Sequence, residues 1–337
     1  MEHSSIPQGY APLLSIYETQ KAIGLLNRLF EDRLSGALRL HRVSAPLFVA
    51  ASSGLNDDLN GVERPVAFDI RGVDDTAVVV HSLAKWKRLA LKRYQFHPGE
   101  GLYTDMNAIR RDEDLDNLHS AYVDQWDWEK IIEAQDRTVD YLKATVRDIV
   151  GALRDTQSFL RSMFPQLCVL PEIPEEITFI TTQELEDLYP DLTPKQREHA
   201  FVKDHPVTFL MGIGGKLKSG KPHDGRAPDY DDWSLNGDLL FWDDVLGCAL
   251  EVSSMGIRVD AEAMERQCKA AGCPHRLELP FHKAVLDGTL PLTMGGGIGQ
   301  SRLCMLLLGK AHIGEVQASL WPKAIREQCE AAGIPLL

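Results

Sequence analysis

Apolar side chains recur at spacings of three and four residues along several stretches of the chain, and this period predicts helices. Residues 17–34 carry such a stripe, and the Ser-Gly pair at 35–36 is expected to end the helix. The longest stripe covers 129–164 and predicts one extended helical region. An uninterrupted apolar run at 303–308 predicts a buried helix that begins at Gln300.

Shorter segments alternate apolar and polar residues or are rich in β-branched residues, which is typical of strands. Such strands are expected at 38–43, 68–70, 77–80, 102–109, 121–128, 177–180, 207–213, 239–242 and 249–259. Most of them follow one another as hairpins and are not each separated by a helix. This order predicts an α+β fold, in which helices flank an antiparallel sheet.

Composition narrows the class of protein without identifying a function. The 337 residues are 44% hydrophobic and 25% charged, which is ordinary globular composition. The net charge of -13 argues against an extended nucleic-acid surface, which needs a clustered basic face. The six cysteines form no C-x-x-C pair, so free thiols in a reducing compartment are expected. No apolar stretch approaches the roughly 20 residues of a membrane span, and residues 1–8 do not resemble a signal peptide. These features predict a cytoplasmic protein.

The segment 293–302 reads TMGGGIGQSR and has four glycines within five residues. Glycine has no Cβ, so the backbone can turn sharply or let a flat ligand approach closely. Arg302 falls in the first turn of the predicted helix, where a cation is unfavourable for the helix dipole. A nucleotide phosphate or an adenine face would offset this charge. A tight strand-to-helix turn with a solvated arginine explains the same residues equally well.

A second glycine-rich segment, 215–221, resembles a phosphate-binding P-loop but lacks two required features. Pro222 stands where the motif needs serine or threonine, and no helix is predicted to start there. We therefore do not interpret it as a P-loop.

Several polar residues are of the kinds needed by an enzyme that binds ATP and a small zwitterion. Arg110 lies where a strand meets a charged loop, and Arg226 flanks another loop. Glu251 lies on a strand and has the type of ligand that magnesium prefers beside phosphates and water. Lys87, Gln125, Asp57 and Asp231 are of suitable types for the carboxylates and the amine of an amino acid. Taken singly, each of these residues is more often a surface charge or part of a capped turn, so the case rests on their joint pattern.

The joint pattern resembles a known family. The helix–strand–Pro46 segment, the strands around Arg110 and the glycine-rich segment resemble the three motifs of class II aminoacyl-tRNA synthetases. The sequences of these motifs are most similar to those of the aspartate–ammonia ligases, which are built on that catalytic core. The segments that carry the resemblance are HSLAKWKR at 81–88, GEGLYT at 99–104, YVDQWDWE at 122–129, RAPDYDDW at 226–233, SSMGIRVD at 253–260 and GGGIGQSR at 295–302. Two departures are Asp58, where asparagine is usual, and a short stretch after Trp233.

The resemblance implies that ATP activates the side-chain carboxylate of aspartate as aspartyl-AMP, and that ammonia then forms asparagine. It implies a catalytic set of Asp57, Arg110, Gln125, Asp231 and Arg302. It implies aspartate binding by Ser82, Lys87, Gln125, Asp231, Ser254 and Arg302. It implies ATP binding by Arg110, Arg226, Glu251, Ser253, Gly297 and Arg302, with Glu251 also facing Mg²⁺. Asp57 would orient ammonia or take a proton from it, and Asp231 could share this role.

The same resemblance sets the expected organisation. Residues 1–12 are expected to be a flexible tail, and 13–337 a single catalytic domain with a helical insertion around 129–205. The Pro46 motif implies a homodimer because it forms the interface in the family.

Three other functions were weighed. An aspartyl- or asparaginyl-tRNA synthetase needs a tRNA-binding domain, for which the expected organisation leaves no room. A degenerate regulatory relative should have lost phosphate-binding arginines, whereas Arg110 and Arg302 are present. Glutamine-dependent transfer usually uses an N-terminal cysteine, and residue 2 is glutamate. Free ammonia is therefore the expected nitrogen donor, with no nucleic-acid or membrane partner.

Overall fold

The structure, a computed structural model, describes residues 6–57 and 63–337. Its α-helices are α1 (Ile16–Leu38), α2 (Ala84–Arg93), α3 (Val139–Met163), α4 (Thr182–Leu188), α5 (Pro194–Asp204), α6 (Ala261–Ala270), α7 (Pro280–Leu286), α8 (Gln300–Leu308) and α9 (Lys323–Ala331). Its strands are β1 (Leu40–Arg42), β2 (Phe48–Ala50), β3 (Ala67–Phe68), β4 (Ala77–Val79), β5 (Gly101–Ile109), β6 (Tyr122–Ile131), β7 (Thr178–Thr181), β8 (Val207–Met211), β9 (Asp231–Asp243), β10 (Cys248–Arg258) and β11 (Thr293–Gly299).

Eight strands form one sheet in the order β1-β5-β6-β11-β10-β9-β8-β7. The pairs from β5 to β8 are antiparallel, and only the two edge pairs, β1 with β5 and β7 with β8, are parallel. Strands β2, β4 and β3 form a separate small antiparallel sheet. The predicted α+β class, with an antiparallel sheet flanked by helices, is confirmed.

The large sheet has one apolar face, against which α1, α3 and α8 pack. Trp126 and Trp128 on β6 are fully buried on this face, and the Trp126 ring lies 4.8 Å from that of Phe30 on α1. The Trp126 Nε1 donates a hydrogen bond of 3.0 Å to Glu31. Because neighbouring strand residues point to opposite faces, Gln125, Asp127 and Glu129 of β6 must face the other side.

Several elements differ from the sequence-based predictions. Helix α1 continues through the Ser-Gly pair at 35–36 and ends at Leu38, because its apolar stripe goes on and Arg39 supplies the left-handed terminus at φ 59°. A helix over 129–164 is wrong at its start: β6 continues to Ile131, paired with β5 and β11, and α3 begins at Val139 after its cap Thr138. Short apolar runs fit either period, and here strand pairing decides.

Another difference is the glycine-rich segment. Residues 293–299 are neither a turn nor a loop but the central strand β11, and α8 follows at Gln300 as predicted.

The segment that was expected as a helical insertion contains α3, α4 and α5, together with β7, which extends the sheet next to β8. Near the N-terminus, the hydroxyl of Tyr10 lies 3.0 Å from both carboxylate oxygens of Glu315, so the described part of the predicted tail is packed against the domain. Residues 1–5 of that tail lie outside the described part. All six cysteines are free thiols. Within the described ranges, no helix is both long and apolar enough to cross a membrane.

Candidate active site

A cleft of about 490 Å³ lies on the polar face of the large sheet. It is lined by β6, β9, β10 and β11, by the start of α2 and by the loop that joins β5 to β6. Eleven of the twelve predicted site residues line it, namely Asp57, Ser82, Lys87, Arg110, Gln125, Arg226, Asp231, Glu251, Ser254, Gly297 and Arg302. Residues that are up to 245 positions apart in the sequence are therefore brought to one cleft.

Ser253 is the predicted site residue that does not line the cleft. It is 1% exposed, and its neighbour Ser254 faces the cleft instead. Consecutive residues of a strand point to opposite faces, so the two serines cannot both contact a ligand there.

Strand β11 forms the floor of the cleft, and its glycines make room for the side chains of β6. Gly297 pairs with Asp127 and Gly299 with Gln125. A Cβ at Gly297 would overlap the Gln125 Oε1 and lie 2.7 Å from the Asp127 Oδ1. The glycines therefore do not serve a turn, as one of the two interpretations of this segment held. Gly297 is required because polar side chains of the neighbouring strand lie directly above it.

A buried cluster of charged side chains covers this floor, and Lys87 of α2 is one of its centres. The Lys87 Nζ lies 3.1 Å from the Asp127 Oδ2 and 3.9 Å from the Glu129 Oε2, and it donates to the Gly296 carbonyl at 3.0 Å. Burial lowers the pKa of Lys87, although both carboxylates oppose this effect. The ammonium group is thus fixed by three oxygen atoms at the base of the cleft.

Arg258 of β10 is the second centre of the cluster. Its Nε and Nη2 donate to Glu129 at 3.0 and 2.7 Å, and its Nη1 donates to Asp231. Burial alone would raise the pKa of Glu129, but the charge and hydrogen bonds of Arg258 lower it. Asp231 is also 3.9 Å from the Nε of Arg226.

Arg226 connects this cluster to β9. It donates to the Ser254 hydroxyl at 2.9 Å and to the Asp238 carboxylate, which also accepts from Ser254. Burial raises the pKa of Asp238 to about 6. We call the following residues the inner cluster: Lys87, Asp127, Glu129, Arg226, Asp231, Asp238 and Arg258. Within it, three cations face four carboxylates, so it has one unmatched negative charge at neutral pH.

In the outer part of the cleft, cations outnumber the carboxylate that they surround, because Arg302, Lys195 and Arg110, together with Arg226 of the inner cluster, lie around Glu251. Burial would raise the pKa of Glu251, but the charges of Arg302, Lys195, Arg226 and Arg110 lower it. The Arg302 Nη1 lies 3.8 Å from the Glu251 Oε1 and donates to the Glu251 carbonyl at 3.0 Å. The first-turn arginine therefore has a protein partner on β10, which the sequence did not reveal.

Asp57 and Ser82 lie at the other side of the cleft. Asp57 is 3% exposed, and its carbonyl oxygen lies 3.1 Å from the His81 Nδ1. The Ser82 hydroxyl accepts from the Ala84 N–H at 3.1 Å, directly before α2, whose N-cap position is Leu83. Asp58, one of the two departures from the family pattern, lies outside the described residues.

The comparisons with known proteins agree with one another. The family model of aspartate–ammonia ligase matches residues 17–333. An aspartate–ammonia ligase of Levilactobacillus brevis is 60% identical over 336 residues, which are 99% of this chain and 100% of that protein. One of Clostridium perfringens is 60% identical over 338 residues, which are 100% of both.

The chain belongs to the aspartate–ammonia ligase family. It is therefore an enzyme of asparagine biosynthesis that joins an acid to ammonia.

Solved structures show that this ligase has the class II aminoacyl-tRNA synthetase fold. An asparaginyl-tRNA synthetase of Entamoeba histolytica, in complex with asparaginyl-adenylate, matches with a TM-score of 0.62 at 14% identity. The match covers 90% of this chain and 66% of that one. The Pyrococcus horikoshii enzyme, also with asparaginyl-adenylate, has a TM-score of 0.62 at 16% identity and covers 94% and 76%. At these identities the likeness concerns the fold alone.

Sequence reasoning missed five of the charged residues around the cleft of this ligase. Asp127, Glu129 and Arg258 lie inside the quoted segments YVDQWDWE and SSMGIRVD, on strands whose alternate residues were already assigned to the site. That alternation was the available signal for Asp127 and Glu129. Asp238 of β9 and Lys195 of α5 lie in no quoted segment, and only the tertiary structure brings them to the cleft.

The short stretch after Trp233, the other departure from the family pattern, lies within a strand of this ligase. Residues 231–243 form the continuous strand β9, paired with β10 and β8. The shortened stretch is therefore sheet and leaves the wall of the cleft intact.

The residues of the cleft are compatible with a magnesium ion that is bound together with a nucleotide. Among residues 6–57 and 63–337, no group of three or more His, Cys, Asp or Glu side chains could hold a metal ion. Magnesium in nucleotide enzymes needs only one or two carboxylates, because phosphate oxygens and water complete its coordination. Glu251, which its neighbouring cations keep ionised, meets this requirement.

Proposed function

We propose that this ligase works through an aspartyl-AMP intermediate and releases AMP and pyrophosphate. The observation that carries the proposal is the opposite charge balance of the two parts of one cleft. The outer part, with four cations around Glu251, suits a triphosphate with its magnesium ion. The inner cluster, with one carboxylate in excess, suits the α-ammonium group of an amino acid.

In the outer part, the nucleotide would be held by arginines. Arg110 would contact the α-phosphate and offset the charge that develops there when pyrophosphate leaves. Arg302 would lie against the adenine and reach the phosphates, and Arg226 would support the same site. Gly297 would let the nucleotide approach the floor, and Glu251 would bind the magnesium ion, which draws charge from the phosphates.

In the inner part, aspartate would be held by its two kinds of charge. Lys87 and Arg302 would bind its carboxylates, while Asp231 and Gln125 would face its ammonium group. Ser82 and Ser254 would complete the hydrogen bonds. The side-chain carboxylate then attacks the α-phosphorus, and the bond to pyrophosphate breaks. In the second step, Asp57 would hold the incoming nitrogen.

We also propose that the enzyme is a cytoplasmic homodimer that uses free ammonia. Leu47, Phe48 and Phe68 support the dimer, since they are 51%, 40% and 38% exposed next to the Pro46 motif. Exposed apolar patches of this kind mark interaction surfaces. Light scattering coupled to gel filtration tests it, and a monomeric mass at micromolar concentration would refute it.

The activation route is tested with aspartate carrying ¹⁸O in its side-chain carboxylate, together with ATP and ammonium. An aspartyl-AMP route transfers one ¹⁸O atom to AMP, which mass spectrometry detects. Formation of ADP, with the label in inorganic phosphate, would refute the adenylate and indicate an acyl phosphate. Parallel assays with glutamine in place of ammonium are expected to give no asparagine.

A further inference from the structure

His81 lies beside Asp57 and has a hydrogen-bonding arrangement that the roles above do not use. It is 1% exposed, directly before Ser82, and it lines the cleft. Its backbone N–H donates to the Asn56 side chain at 2.8 Å, and its Nδ1 lies 3.1 Å from the Asp57 carbonyl oxygen. A carbonyl oxygen can only accept, so the Nδ1 must carry the proton. The neutral ring therefore has its lone pair on Nε2.

The His81 Nε2 has no partner within the described part of the chain, although it is shielded from solvent. A buried acceptor that is left unpaired costs about 1–3 kcal/mol, so native structures rarely keep one without a reason. Two hydrogen bonds hold the residue in place: its backbone N–H donates to the Asn56 side chain, and its Nδ1 donates to the Asp57 carbonyl oxygen. The unpaired atom belongs to a residue of the cleft wall, and that residue contacts the backbone of Asp57, the residue assigned to the incoming nitrogen.

We propose that the His81 Nε2 is the atom that takes a proton from ammonium before the nitrogen attacks. This inference rests on the proposed two-step reaction and adds a residue to its second step. Ammonium, held by the Asp57 carboxylate, transfers one proton to Nε2 and becomes neutral ammonia. The nitrogen lone pair then forms the bond to the acyl carbon. The bond from that carbon to the phosphate oxygen breaks, and AMP leaves with the electron pair.

The nitrogen loses its second proton to solvent as the amide forms. The imidazolium of His81 releases its proton to solvent before the next turnover. No oxidant, reductant or further reactant is required.

Imidazole suits this role better than the neighbouring carboxylate. An ordinary histidine has a pKa of about 6.5 and an ordinary aspartate one of about 3.9, so imidazole is the stronger base by more than two units. Proton acceptors work best when their pKa lies near the working pH. The carboxylate of Asp57 has the complementary property, because its negative charge attracts ammonium. Asp57 thus attracts the ammonium ion, and His81 takes its proton.

The test uses His81→Asn, in which the asparagine amide can still donate to the Asp57 carbonyl from nearly the position of Nδ1. This variant keeps the positioning hydrogen bond and removes the Nε2 acceptor. Aspartate-dependent exchange of pyrophosphate into ATP reports adenylate formation. Rapid mixing of enzyme-bound adenylate with ammonium or with hydroxylamine reports the second step. Hydroxylamine is a weaker base than ammonia and is uncharged at neutral pH, so it needs no initial proton acceptor.

We expect His81→Asn to exchange pyrophosphate within about threefold of the wild-type rate and to lose at least about 100-fold with ammonium, the range of general-base catalysis. With hydroxylamine the loss should stay below about tenfold. Equal losses with both nucleophiles, or no loss with ammonium, would overturn the proposal. Loss of pyrophosphate exchange to the same degree would also overturn it, because His81 would then serve aspartate binding.

His81→Gln is the second variant and covers the case in which His81→Asn does not fold. Its amide reaches nearly the position of Nε2 and can hold ammonium but cannot take its proton. A wild-type rate in His81→Gln would show that His81 only binds ammonium, and the proton role would fall. Absence of aspartate-dependent exchange in the wild type would instead refute the two-step function itself.

Discussion

Arg258→Met removes one side of a buried ion pair and should be among the most destabilising substitutions at the cleft. Arg258 is 3% exposed and binds two carboxylates at once, Glu129 through two nitrogens and Asp231 through a third. Methionine keeps the apolar stem but supplies no charge. Glu129 is itself fully buried, so after the substitution its charge would face Lys87 at 3.9 Å without the hydrogen bonds that Arg258 donates.

The expected loss of stability in Arg258→Met follows from this burial. Removing one partner of a buried pair costs about 3–5 kcal/mol, because the other charge stays desolvated. The entropy of unfolding is about 2.1 cal/mol/K per residue, or about 0.7 kcal/mol/K for 337 residues. The melting temperature should therefore fall by about 4–7 °C. Arg258→Lys should give a smaller fall, because one ammonium group cannot bind both carboxylates as the planar guanidinium does.

The matched control is Arg42→Met, which removes an arginine from an exposed pair. Arg42 pairs with Asp105 at 2.5 Å, but their side chains are 59% and 33% exposed. Exposed pairs contribute about 0–1 kcal/mol, so the melting temperature should change by no more than about 1.5 °C. Differential scanning calorimetry at neutral pH compares the variants. Equal shifts in the Arg258 and Arg42 variants, or a rise in the Arg258→Met variant, would refute the reasoning that burial makes this pair decisive.

Three further predictions concern the two reaction steps and the stability at low pH. Arg302→Ala should abolish aspartate-dependent pyrophosphate exchange with little change in melting temperature, since Arg302 is partly exposed and its loss leaves the sheet intact; wild-type exchange would contradict its role. Asp57→Ala should slow amide formation more than pyrophosphate release in rapid-quench assays, and equal losses would assign Asp57 to substrate binding. Burial lowers the pKa of His312 to about 4 from its ordinary 6.5, so the unfolded chain binds the proton more tightly. The stability that the neutral His312 contributes is thus complete above pH 6.5 and is lost as the pH falls towards 4. At pH 5 the free energy of unfolding should be lower by about 2 kcal/mol. His312→Asn, whose side-chain oxygen can still accept from Gly314, should remove this part of the acid sensitivity in denaturant titrations at pH 5 and 7.5, and an unchanged difference would contradict it.

The fold class and the family could be predicted from the chain because their signals are local. Hairpin order identified the antiparallel sheet, and six quoted segments carried the resemblance. Element boundaries were less predictable where a pattern fits two periods. Ile131 and Ile132 continue the apolar stripe of a helix, yet Ile131 is the last residue of β6. Its pairing partner on β11 is Thr293, which lies more than 160 positions later, and no local pattern contains that information.

The candidate site was predicted as a set of residues but not as a network of contacts. Eleven of twelve expected residues line one cleft, and eight of these eleven lie in the quoted segments. The order of the strands was not contained in any segment. Strand β11 comes last in the chain but lies between β6 and β10, which brings Glu129 and Arg258 together across it. These two residues are 129 positions apart, so their pairing could only be seen in the structure.

This strand order also explains a glycine that neither a turn nor a nucleotide accounts for. Gly295 pairs with Glu129 on one side and with Gly256 on the other, directly beneath the bond between Glu129 and Arg258. A Cβ at Gly295 would overlap the Glu129 Oε2 and lie 2.6 Å from the Arg258 Nη2. An ion pair can cross a middle strand only where that strand has no side chain on the same face. The buried ion pair between Glu129 and Arg258 therefore depends on glycine at position 295, although the three residues lie far apart in the sequence.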